Sequence, residues 1–528
     1  MERKRIAIVG SGISGLSTLW SLRNTPHTIH LFEKENRLGG HTNTATWTSP
    51  LNPSHTTPVD TGFIVLNTAT YPNFIAFLKE LGVRTIPSQM TFGISRDDGA
   101  FEWSGTSLSA LFAQKSNAFR LSFWRMIFDI VRFNMFSLDL LSNPGAPSSE
   151  LTIGEYLENE GYSDAFRDDY LIPMTACVCS TGPDKCALEF PALTLVRFMW
   201  NHHLLSTVAE RPPWLTIEGG SRRYIDAVVR ECKGAKIELM TPVETLKRID
   251  GRVELTLGGE KGGKTEIFDE VVLACHGDQA RRIVGGAATC EEKNILSAFE
   301  TTPNTAYLHS DLSVSMPLNH LVALQKLTYQ LMPERRTAWS AWNYLTHSSS
   351  PSNPTASSLE NVSLTYNMNI LQSLPTSTYG DVLVTLNPET PPSATLTQAT
   401  YQYRHPLYNA RMVAAQEGLE QIQGKRGVWY AGAWTGYGFH EDGFASGMNV
   451  GLRLGGSVTW EAKNAKFSRG TAPVLGWKDH VVRAIVIVLQ LYVSLVELVL
   501  GAMKRKNRSN VGVYSNGHGA LQGKMKVY

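Results

Sequence analysis

A β-branched run that leads directly into a glycine turn and a helical pattern constrains this 528-residue chain most tightly. Residues 6–9 read IAIV, a composition typical of a buried parallel strand. The next six residues read GSGISG, and apolar residues then recur at helical spacing from Leu16. The N-terminus therefore predicts a strand, a tight turn and a helix, in that order.

The glycine spacing in this unit is that of a dinucleotide site. Gly10 permits the tight turn, Gly12 lets the backbone approach a pyrophosphate, and Gly15 lets the helix contact the strand. Ser14 lies in the first turn of the predicted helix, whose N-terminus would hold the negative charge. A second predicted strand, residues 28–32, ends on Glu33, where an acid should accept the ribose hydroxyls. The alternative is a glycine-rich turn followed by a solvated glutamate.

A second glycine loop narrows the choice of nucleotide. Arg37, Gly39, Gly40 and His41 follow Glu33 within eight residues. This arrangement resembles the flavin-containing amine oxidase and phytoene desaturase superfamily, which implies FAD bound in an extended form. The family motif usually reads Gly-Gly-Arg, so it stays open whether His41 contacts phosphate or flavin. The resemblance also implies that Val243 reaches the adenine through backbone hydrogen bonds.

The glycine-rich stretch 436–456 near the other end of the chain contains a His-Glu-Asp run. A short strand, Gly432 and Trp434 precede it, and Gly443, Gly447, Gly451 and Gly455 recur every four residues, along one face of a predicted helix. Such a face requires a close contact, and we expect a cofactor and sheet to provide it.

The residues at the start of this helix favour flavin over metal. Asp442 would cap the first turn, and the helix N-terminus would favour negative charge on a reduced flavin. Three consecutive residues in a turn make a poor metal cage, so we expect no metal. His440 has three open roles: contact with the isoalloxazine, acid–base catalysis, or stabilisation of the loop.

Further segments strengthen the resemblance and make it more specific. They are YAGAWTGYGFHEDG (430–443), AWSAWNY (338–344), TYNMN (365–369), TLNP (385–388) and HPLYNARMVAAQ (405–416). They are similar to a branch of predicted FAD-dependent, amine-oxidase-like proteins, with matches from residue 5 to about residue 457. The branch implies an FAD oxidoreductase, and its association with enzymes that modify fatty acids suggests acyl chains.

These patterns predict an α/β fold with a discontinuous domain order. A Rossmann-type FAD-binding domain of the glutathione-reductase-like, amine oxidase type would comprise 1–91, 214–300 and 425–470. An interleaved α+β substrate domain would comprise 92–213 and 301–424. We expect residues 59–66 to return to the first sheet, and the polar segment 346–361 to form a loop without order.

Charge and cysteine content limit the partners. A net charge of +2 gives no field for nucleic acid, which we exclude. The six cysteines contain no C-x-x-C pair, so we expect reduced thiols in a catalytic body that faces the cytoplasm.

The C-terminal segment 478–508 is predicted to be a membrane-associating helix with basic flanks. Residues 484–502 are mainly apolar, with a narrow polar stripe through Arg483, Gln490, Ser494 and Glu497. The stripe favours a helix in the membrane interface over one that spans the bilayer, and docking on the soluble body, which would make the protein cytoplasmic, is the alternative.

The sequence thus predicts an FAD-dependent oxidoreductase that transfers a hydride from a carbon centre of a lipid-like or other apolar substrate to flavin N5. The electron acceptor is open. The alternatives are a peroxide-producing amine oxidase, a non-redox flavin-dependent isomerase, and a binding scaffold.

Overall fold

The structure is a computed structural model that describes residues 2–179, 186–205, 212–317, 326–350, 353–464 and 469–514. Its strands, in chain order, are β1 (Arg5–Val9), β2 (Thr28–Phe32), β3 (Thr44–Thr48), β4 (Thr56–Asp60), β5 (Leu66–Asn67), β6 (Thr85–Ser88), β7 (Phe92–Arg96), β8 (Phe101–Ser104), β9 (Trp214–Ile217), β10 (Lys236–Glu238), β11 (Val243–Ile249), β12 (Arg252–Leu257), β13 (Thr265–Phe268), β14 (Glu270–Leu273), β15 (Thr301–His309), β16 (Ser313–Pro317), β17 (Lys326–Gln330), β18 (Trp342–Ser350), β19 (Asn353–Asn367), β20 (Leu383–Leu386), β21 (Thr397–Pro406) and β22 (Val428–Tyr430).

The α-helices are likewise numbered in chain order. They are α1 (Ile13–Ser21), α2 (Pro72–Glu80), α3 (Leu108–Leu111), α4 (Leu121–Phe136), α5 (Asp139–Ser142), α6 (Ile153–Asn159), α7 (Asp164–Phe166), α8 (Ile172–Cys179), α9 (Cys186–Glu189), α10 (Ala192–Asn201), α11 (Arg222–Glu231), α12 (Gly277–Val284), α13 (Cys290–Leu296), α14 (Met368–Leu371), α15 (Thr376–Tyr379), α16 (Ala410–Gly418), α17 (His440–Arg453) and α18 (Trp477–Tyr514).

A parallel sheet with the strand order β10-β2-β1-β14-β22 forms the centre of one half of the molecule. Strand β1 lies in the middle, and its Ile6, Ala7 and Ile8 are fully buried because helices or other strands cover both faces. The strands of this sheet come from the N-terminal stretch, from residues 236–273 and from residues 428–430. Their carboxyl ends therefore meet at one edge, where ligands of such sheets bind.

A mixed sheet with the order β21-β15-β20-β19-β18-β7-β8 forms the second half. Helices α3–α10, between residues 108 and 201, precede most of its strands in the chain. The segment 346–361, predicted to be an unordered loop, instead lies largely in the antiparallel hairpin of β18 and β19, while residues 351–352 lie outside the described residues. The backbone hydrogen bonds of a hairpin order a polar segment that its composition alone would leave as a loop.

The predicted strand over residues 59–66 is wrong in its placement. Strand β4 pairs with β3 in a separate two-stranded ribbon, and Leu66 pairs with Leu215 in another small sheet. Residues 61–65 lie outside any strand, so only the two ends of the predicted strand are extended and paired. The β-branched pattern carries no information about which strand is the partner.

Helix α18 contains an apolar segment. Of the residues that the structure describes, Trp477–Val496 are helical, long enough and apolar enough to cross a membrane by length and composition, with a mean hydropathy of 1.7. The C-terminal apolar helix of the predicted fold is therefore present.

Candidate nucleotide-binding site

The first glycine loop follows β1 and packs against the carboxyl end of β14. The φ angle of Gly10 is +102°, and a Cβ on this residue would lie 2.6 Å from the carbonyl oxygen of Ala274. A Cβ on Gly15 would lie 1.9 Å from the carbonyl oxygen of Gly10. Both positions therefore require glycine, since a side chain would collide with backbone that cannot move freely.

Gly12 differs from its two neighbours. A Cβ added to Gly12 meets no atom within 4 Å, and its φ of −61° is allowed for any residue. It is the N-cap of α1, where no side chain makes a capping hydrogen bond, and the first turn of α1 contains no acid. The free N–H groups of α1 thus face open space next to a glycine, which is the arrangement that binds a pyrophosphate. Ser14 is buried on the same turn.

Glu33 lies directly after β2 and is buried beside the loop. Its Oε2 accepts hydrogen bonds from the backbone N (2.9 Å) and Oγ (2.6 Å) of Ser11, and its Oε1 accepts one from the backbone N of Glu35 (2.9 Å). These donors hold the carboxylate at the sheet edge. A carboxylate has further acceptor capacity for ribose hydroxyls.

The second glycine loop packs on the first. The backbone N of Gly39 donates to the carbonyl of Ser11 (3.1 Å), and a Cβ on Gly40 would lie 3.2 Å from the Cα of Gly12. Arg37 fixes this loop by donating to the carbonyls of Gly40 (2.8 Å) and Thr42 (3.3 Å). Its guanidinium is therefore engaged by backbone of its own loop.

His41 extends from this loop into a group of aromatic rings at the sheet edge. Its ring centroid lies 5.4 Å from that of His276, 5.2 Å from His405 and 5.2 Å from Tyr403. Its Nε2 is buried and has no hydrogen-bond partner within the described residues. Burial lowers the pKa of His41 to about 3, of His276 to about 4 and of His405 to about 3, so all three are neutral at pH 7.

Helix α17 reaches the same edge because its glycines pack against α1. A Cβ on Gly447 would lie 1.9 Å from the carbonyl oxygen of Ser14, and one on Gly451 would lie 2.7 Å from the Cβ of Ser21. Oγ1 of Thr18 donates to the carbonyl of Gly447 across the contact (2.9 Å). The glycine face thus contacts a helix rather than the expected cofactor and sheet.

Gly455 does not belong to this face. Helix α17 ends at Arg453, and the φ angle of Gly455 is +90°, the conformation of a helix-terminating glycine. The four-residue spacing predicted Gly455 as part of the helix face, although it lies after the helix end. Spacing cannot separate the two cases, because glycine is common both at close helix contacts and at helix ends.

The turn before α17 is held by side chains from several elements. Asp442 Oδ2 accepts from the backbone N of Phe439 (2.9 Å), and a Cβ on Gly443 would lie 2.7 Å from Cγ2 of Ile13. The backbone N of Gly432 donates to Oγ of Ser446 (3.2 Å). Both helix N-termini, those of α1 and α17, are therefore brought side by side.

Trp434 packs at the carboxyl end of the parallel sheet, in the loop after β22. Its Nε1 donates to the carbonyl of Cys275 (2.9 Å), and its ring packs 4.4 Å from that of Phe299. The indole is buried and connects the last strand loop to the loop after β14. The structure gives it a part in holding that loop.

His440 is the first residue of α17 and is enclosed by aromatic rings. It stacks on Phe63 with 3.7 Å between centroids, and its Nε2 lies 3.0 Å from the hydroxyl of Tyr224, which in turn lies 2.5 Å from Oγ1 of Thr42. Burial lowers the pKa of His440 well below its usual range. The imidazole is neutral and connects the second glycine loop to α17.

Glu441 is the residue of this turn that sequence reasoning missed. Its carboxylate accepts hydrogen bonds from the backbone N of Asn73 (3.1 Å), Nδ2 of Asn73 (2.7 Å) and the backbone N of Phe74 (2.9 Å), at the start of α2. Burial raises its pKa to about 8, and the three N–H donors oppose that rise. The available signal was the start of α2 at Pro72-Asn73. The first turn of α2 contains no acid of its own, so an acceptor from another segment could be expected there.

Val243 begins β11, beyond the segment that runs along Glu33. The backbone N of Thr241 donates to the carbonyl of Glu33 (2.9 Å), and the backbone N of Glu33 donates to the carbonyl of Glu238 (2.8 Å). The register of β11 against β12 shifts between Val243 and Thr245. The structure thus brings the turn before Val243 next to Glu33. Among the residues that it describes, no group of three or more His, Cys, Asp or Glu is placed to hold a metal ion.

Comparison with known proteins agrees with this geometry. Residues 8–81 match the model of the NAD(P)-binding Rossmann-like domain. The chain is 25% identical over 211 residues to the chloroplastic/chromoplastic 15-cis-phytoene desaturase of Narcissus pseudonarcissus, a match that covers 38% of this chain and 35% of that protein. The matched region thus spans about a third of this curated relative.

Solved structures show the same fold over most of the chain. A CLA-producing fatty acid isomerase from P. acnes is 14% identical, with a TM-score of 0.56 over 85% of this chain and 98% of its own. Cyclohexylamine oxidase from Brevibacterium oxydans IH-35A is 13% identical, with a TM-score of 0.53 over 85% and 98%. The chain thus shares the fold of these two enzymes. The predicted resemblance and fold class are confirmed; the domain boundaries and the roles of individual site residues stay predictions.

Proposed function

We propose that this chain is an FAD-dependent oxidoreductase that binds FAD in an extended form along the carboxyl edge of its parallel sheet. The observation that carries the proposal is the open space at Gly12, which faces the uncapped N-terminus of α1. Gly40 of the second loop borders the same space. Since the fold neighbours include a cyclohexylamine oxidase and the curated relative is a phytoene desaturase, redox chemistry is the activity that the fold and site support together.

Different residues around the open space at Gly12 would bind different parts of FAD. The N–H groups of α1 would hold the pyrophosphate, Glu33 the ribose hydroxyls, and the turn at Val243 the adenine. His41, whose buried Nε2 has no partner within the described part of the chain, would supply a hydrogen bond where the family motif has arginine. The N-terminus of α17 would stabilise negative charge on the reduced ring.

When bound, FAD supplies hydride acceptance at N5. The task of the chain is then to orient the substrate carbon and to exclude water. We infer that His440 is a positioning residue, because a neutral imidazole held by Phe63 and Tyr224 is a weak base at neutral pH.

We infer that the substrate is lipid-like or otherwise apolar. The two lipid-related proteins among the comparisons, a fatty acid isomerase and a phytoene desaturase, support an apolar chain as substrate. An amine oxidase that produces hydrogen peroxide is the second candidate, supported by the cyclohexylamine oxidase fold. A non-redox isomerase is the third, supported by the isomerase fold.

Anaerobic mixing of the FAD-loaded protein with candidate substrates tests the proposal. We expect an acyl lipid to bleach the flavin absorbance and amines to leave it unchanged. Bleaching by amines with peroxide formed on admission of air would support the amine oxidase instead. Conversion of a lipid without any lasting bleaching would support the isomerase. A protein that binds no FAD would overturn all three.

We also propose that the catalytic body is held at a membrane through α18 and faces the cytoplasm. The length and apolar character of Trp477–Val496 support this localisation.

A further inference from the structure

Helix α18 is attached to the body through one narrow face. Nη1 of Arg132 on α4 donates to Oε1 of Gln490 (2.7 Å). Nη2 of Arg483 donates to the carbonyl of Met135 (2.5 Å) and to Oδ1 of Asp139 (2.8 Å). Val486, on the same face, is buried. Part of the polar stripe read from the sequence thus faces protein.

Arg132 makes this attachment a rigid one. Its guanidinium also donates to the carbonyl of Glu160 (2.9 Å), lies 3.6 Å from the buried Asp129, and stacks over Tyr162 at 3.8 Å. A group held by so many partners loses little further freedom when it binds Gln490. We therefore expect α18 to keep its position along α4.

The opposite face of α18 is apolar and exposed. Leu491, for example, is 67% exposed. Val488, Leu491 and Leu495 follow one another at helical spacing on this face. An exposed apolar surface that continues along a helix for several turns is unusual for a soluble protein and indicates a docking surface. The large apolar side chains exposed between residues 481 and 499 are Val481, Val482, Ile485, Ile487, Val488, Leu489, Leu491, Tyr492, Leu495, Val496, Leu498 and Val499.

A second apolar patch lies at the other end of α4. The residues of α4 that contact α18 belong to the C-terminal half of α4. Leu121 (76% exposed) and Trp124 lie in the first turn of α4, and both side chains are exposed. Phe119 (89% exposed) and Leu108 lie just before it in the chain. We call these four residues, Leu108, Phe119, Leu121 and Trp124, the α4 patch. Positions 121, 124, 128, 132 and 135 recur at helical spacing, so the patch continues the face of α4 that carries α18.

We propose that the exposed face of α18 and the α4 patch form one surface that enters the interface of an anionic lipid bilayer, with α18 parallel to the membrane plane. A spanning helix would have to carry the polar attachment at Arg132 and Asp139 into hydrocarbon or break it, and both are costly. Lys478 before the apolar run, and Lys504, Arg505, Lys506 and Arg508 after it in the sequence, supply charge complementary to anionic headgroups.

The consequence is that the substrate-binding half itself touches the lipid, because α4 belongs to it. An apolar substrate could then pass from the bilayer to the protein without crossing water. This consequence extends the lipid-like substrate of the proposed function. The surface itself does not depend on it, since its test measures lipid binding and not flavin reduction.

Flotation of the FAD-loaded full chain with vesicles tests the surface. The vesicles contain phosphatidylcholine alone or phosphatidylcholine with about 30% phosphatidylglycerol, whose negative surface potential attracts polybasic segments. We expect binding to the anionic vesicles, reduced at least about tenfold in Phe119→Ser/Leu121→Ser and in Val488→Ser/Leu491→Ser/Leu495→Ser. Leu51→Ser, which removes an exposed leucine far from α18 in sequence, is the matched control and should bind as the unaltered chain does. Flavin absorbance and circular dichroism confirm that each variant is folded.

A tag at the C-terminus measures orientation in the same samples. We expect external protease to remove the tag completely from vesicle-bound protein, because neither end of an in-plane helix is inside. Protection of about half the tags or more would show spanning and overturn the proposal. Absence of vesicle binding together with concentration-dependent dimerisation would assign the surface to a second copy of the chain and overturn it as well. If the α4 patch variant binds like the Leu51→Ser control, the patch is not part of the surface.

Discussion

At the residue scale, the glycines of the site differ in what surrounds them. Gly15 and Gly447 face backbone oxygen atoms at distances that a Cβ cannot tolerate. Gly12 faces open space and has a φ angle that any residue adopts. Gly15 and Gly447 are therefore required for packing of the fold, whereas the open space at Gly12 is available to a ligand.

This difference predicts opposite behaviour for Gly12→Ala and Gly447→Ala. Gly447→Ala pushes α17 away from α1, and we expect the FAD-free protein to lose about 1–3 kcal/mol of unfolding free energy. Gly12→Ala should leave that free energy unchanged and weaken FAD binding at least about tenfold, since the methyl group occupies the place of the pyrophosphate. Chemical unfolding and flavin fluorescence titration measure the two quantities. Equal destabilisation of the FAD-free protein by both variants would contradict this assignment.

At the scale of elements, Glu441 joins two helix N-termini. It is the second residue of α17 and accepts three hydrogen bonds at the start of α2. The side chain of Asn73 also exchanges hydrogen bonds with the backbone of Lys463, which fixes the chain after α17. The position of the α17 N-terminus, and with it that of His440, thus depends on the Glu441 carboxyl group. This group is hydrogen-bonded to α2 and is not one of the predicted cofactor contacts.

Glu441→Ala is expected to cost more than about 2 kcal/mol of unfolding free energy, because it leaves buried N–H groups without acceptors. Glu420→Ala is the matched control. The Glu420 carboxylate is largely exposed in its ion pair with Arg453, and its removal should cost less than about 1 kcal/mol. Thermal or urea unfolding of the two variants at pH 7 provides the comparison, and equal losses would show that the Glu441 hydrogen bonds contribute little.

At the scale of the whole molecule, three histidines from distant parts of the chain meet at one edge. His41 comes from the second glycine loop, His276 is the N-cap of α12, and His405 lies in β21 of the other sheet. Arg37 and Arg404 add positive charge nearby, and His41 lies close enough to His440 to add to the lowering of the His440 pKa that burial causes. The contact between the two halves of the molecule therefore depends on uncharged imidazoles.

Acid is expected to destabilise the protein through this cluster. The folded pKa values of about 3 to 4 lie below the unfolded value of 6.5, so the cluster has no pH effect above pH 6.5. As the pH falls from 6.5 towards 4, only the unfolded chain takes up these protons and the free energy of unfolding decreases. Each histidine contributes at most about 1.4 kcal/mol per pH unit.

His405→Asn tests this dependence, since asparagine can still accept the hydrogen bond that links His405 to Asn304. The slope of unfolding free energy against pH between 6.5 and 4.5 should decrease in this variant. His55→Asn, which removes an exposed histidine, should leave the slope unchanged. A slope that is the same in His405→Asn and in the unaltered chain would show that His405 is protonated in the folded protein.

The sequence by itself determined the parts of this protein whose physics is local. The strand, glycine turn and helix at residues 5–21, the acid that follows β2 and the presence of a glycine-lined helix after the last strand follow from side-chain periodicity and from the backbone freedom of glycine. The start of that helix was predicted too late, because His440, Glu441 and Asp442 form its first turn rather than a turn before it. Each of these signals depends on residues a few positions apart. They were sufficient for the fold class and for the dinucleotide site.

The tertiary structure alone decided which elements meet. It placed the glycine face of α17 against α1, Glu441 at the start of α2, β4 beside β3, and the polar stripe of α18 against α4. It also brought His41, His276 and His405 together across hundreds of residues. Pairings of this kind depend on the relative stability of alternative long-range contacts, and a periodic pattern shows that a face must be covered without specifying what covers it.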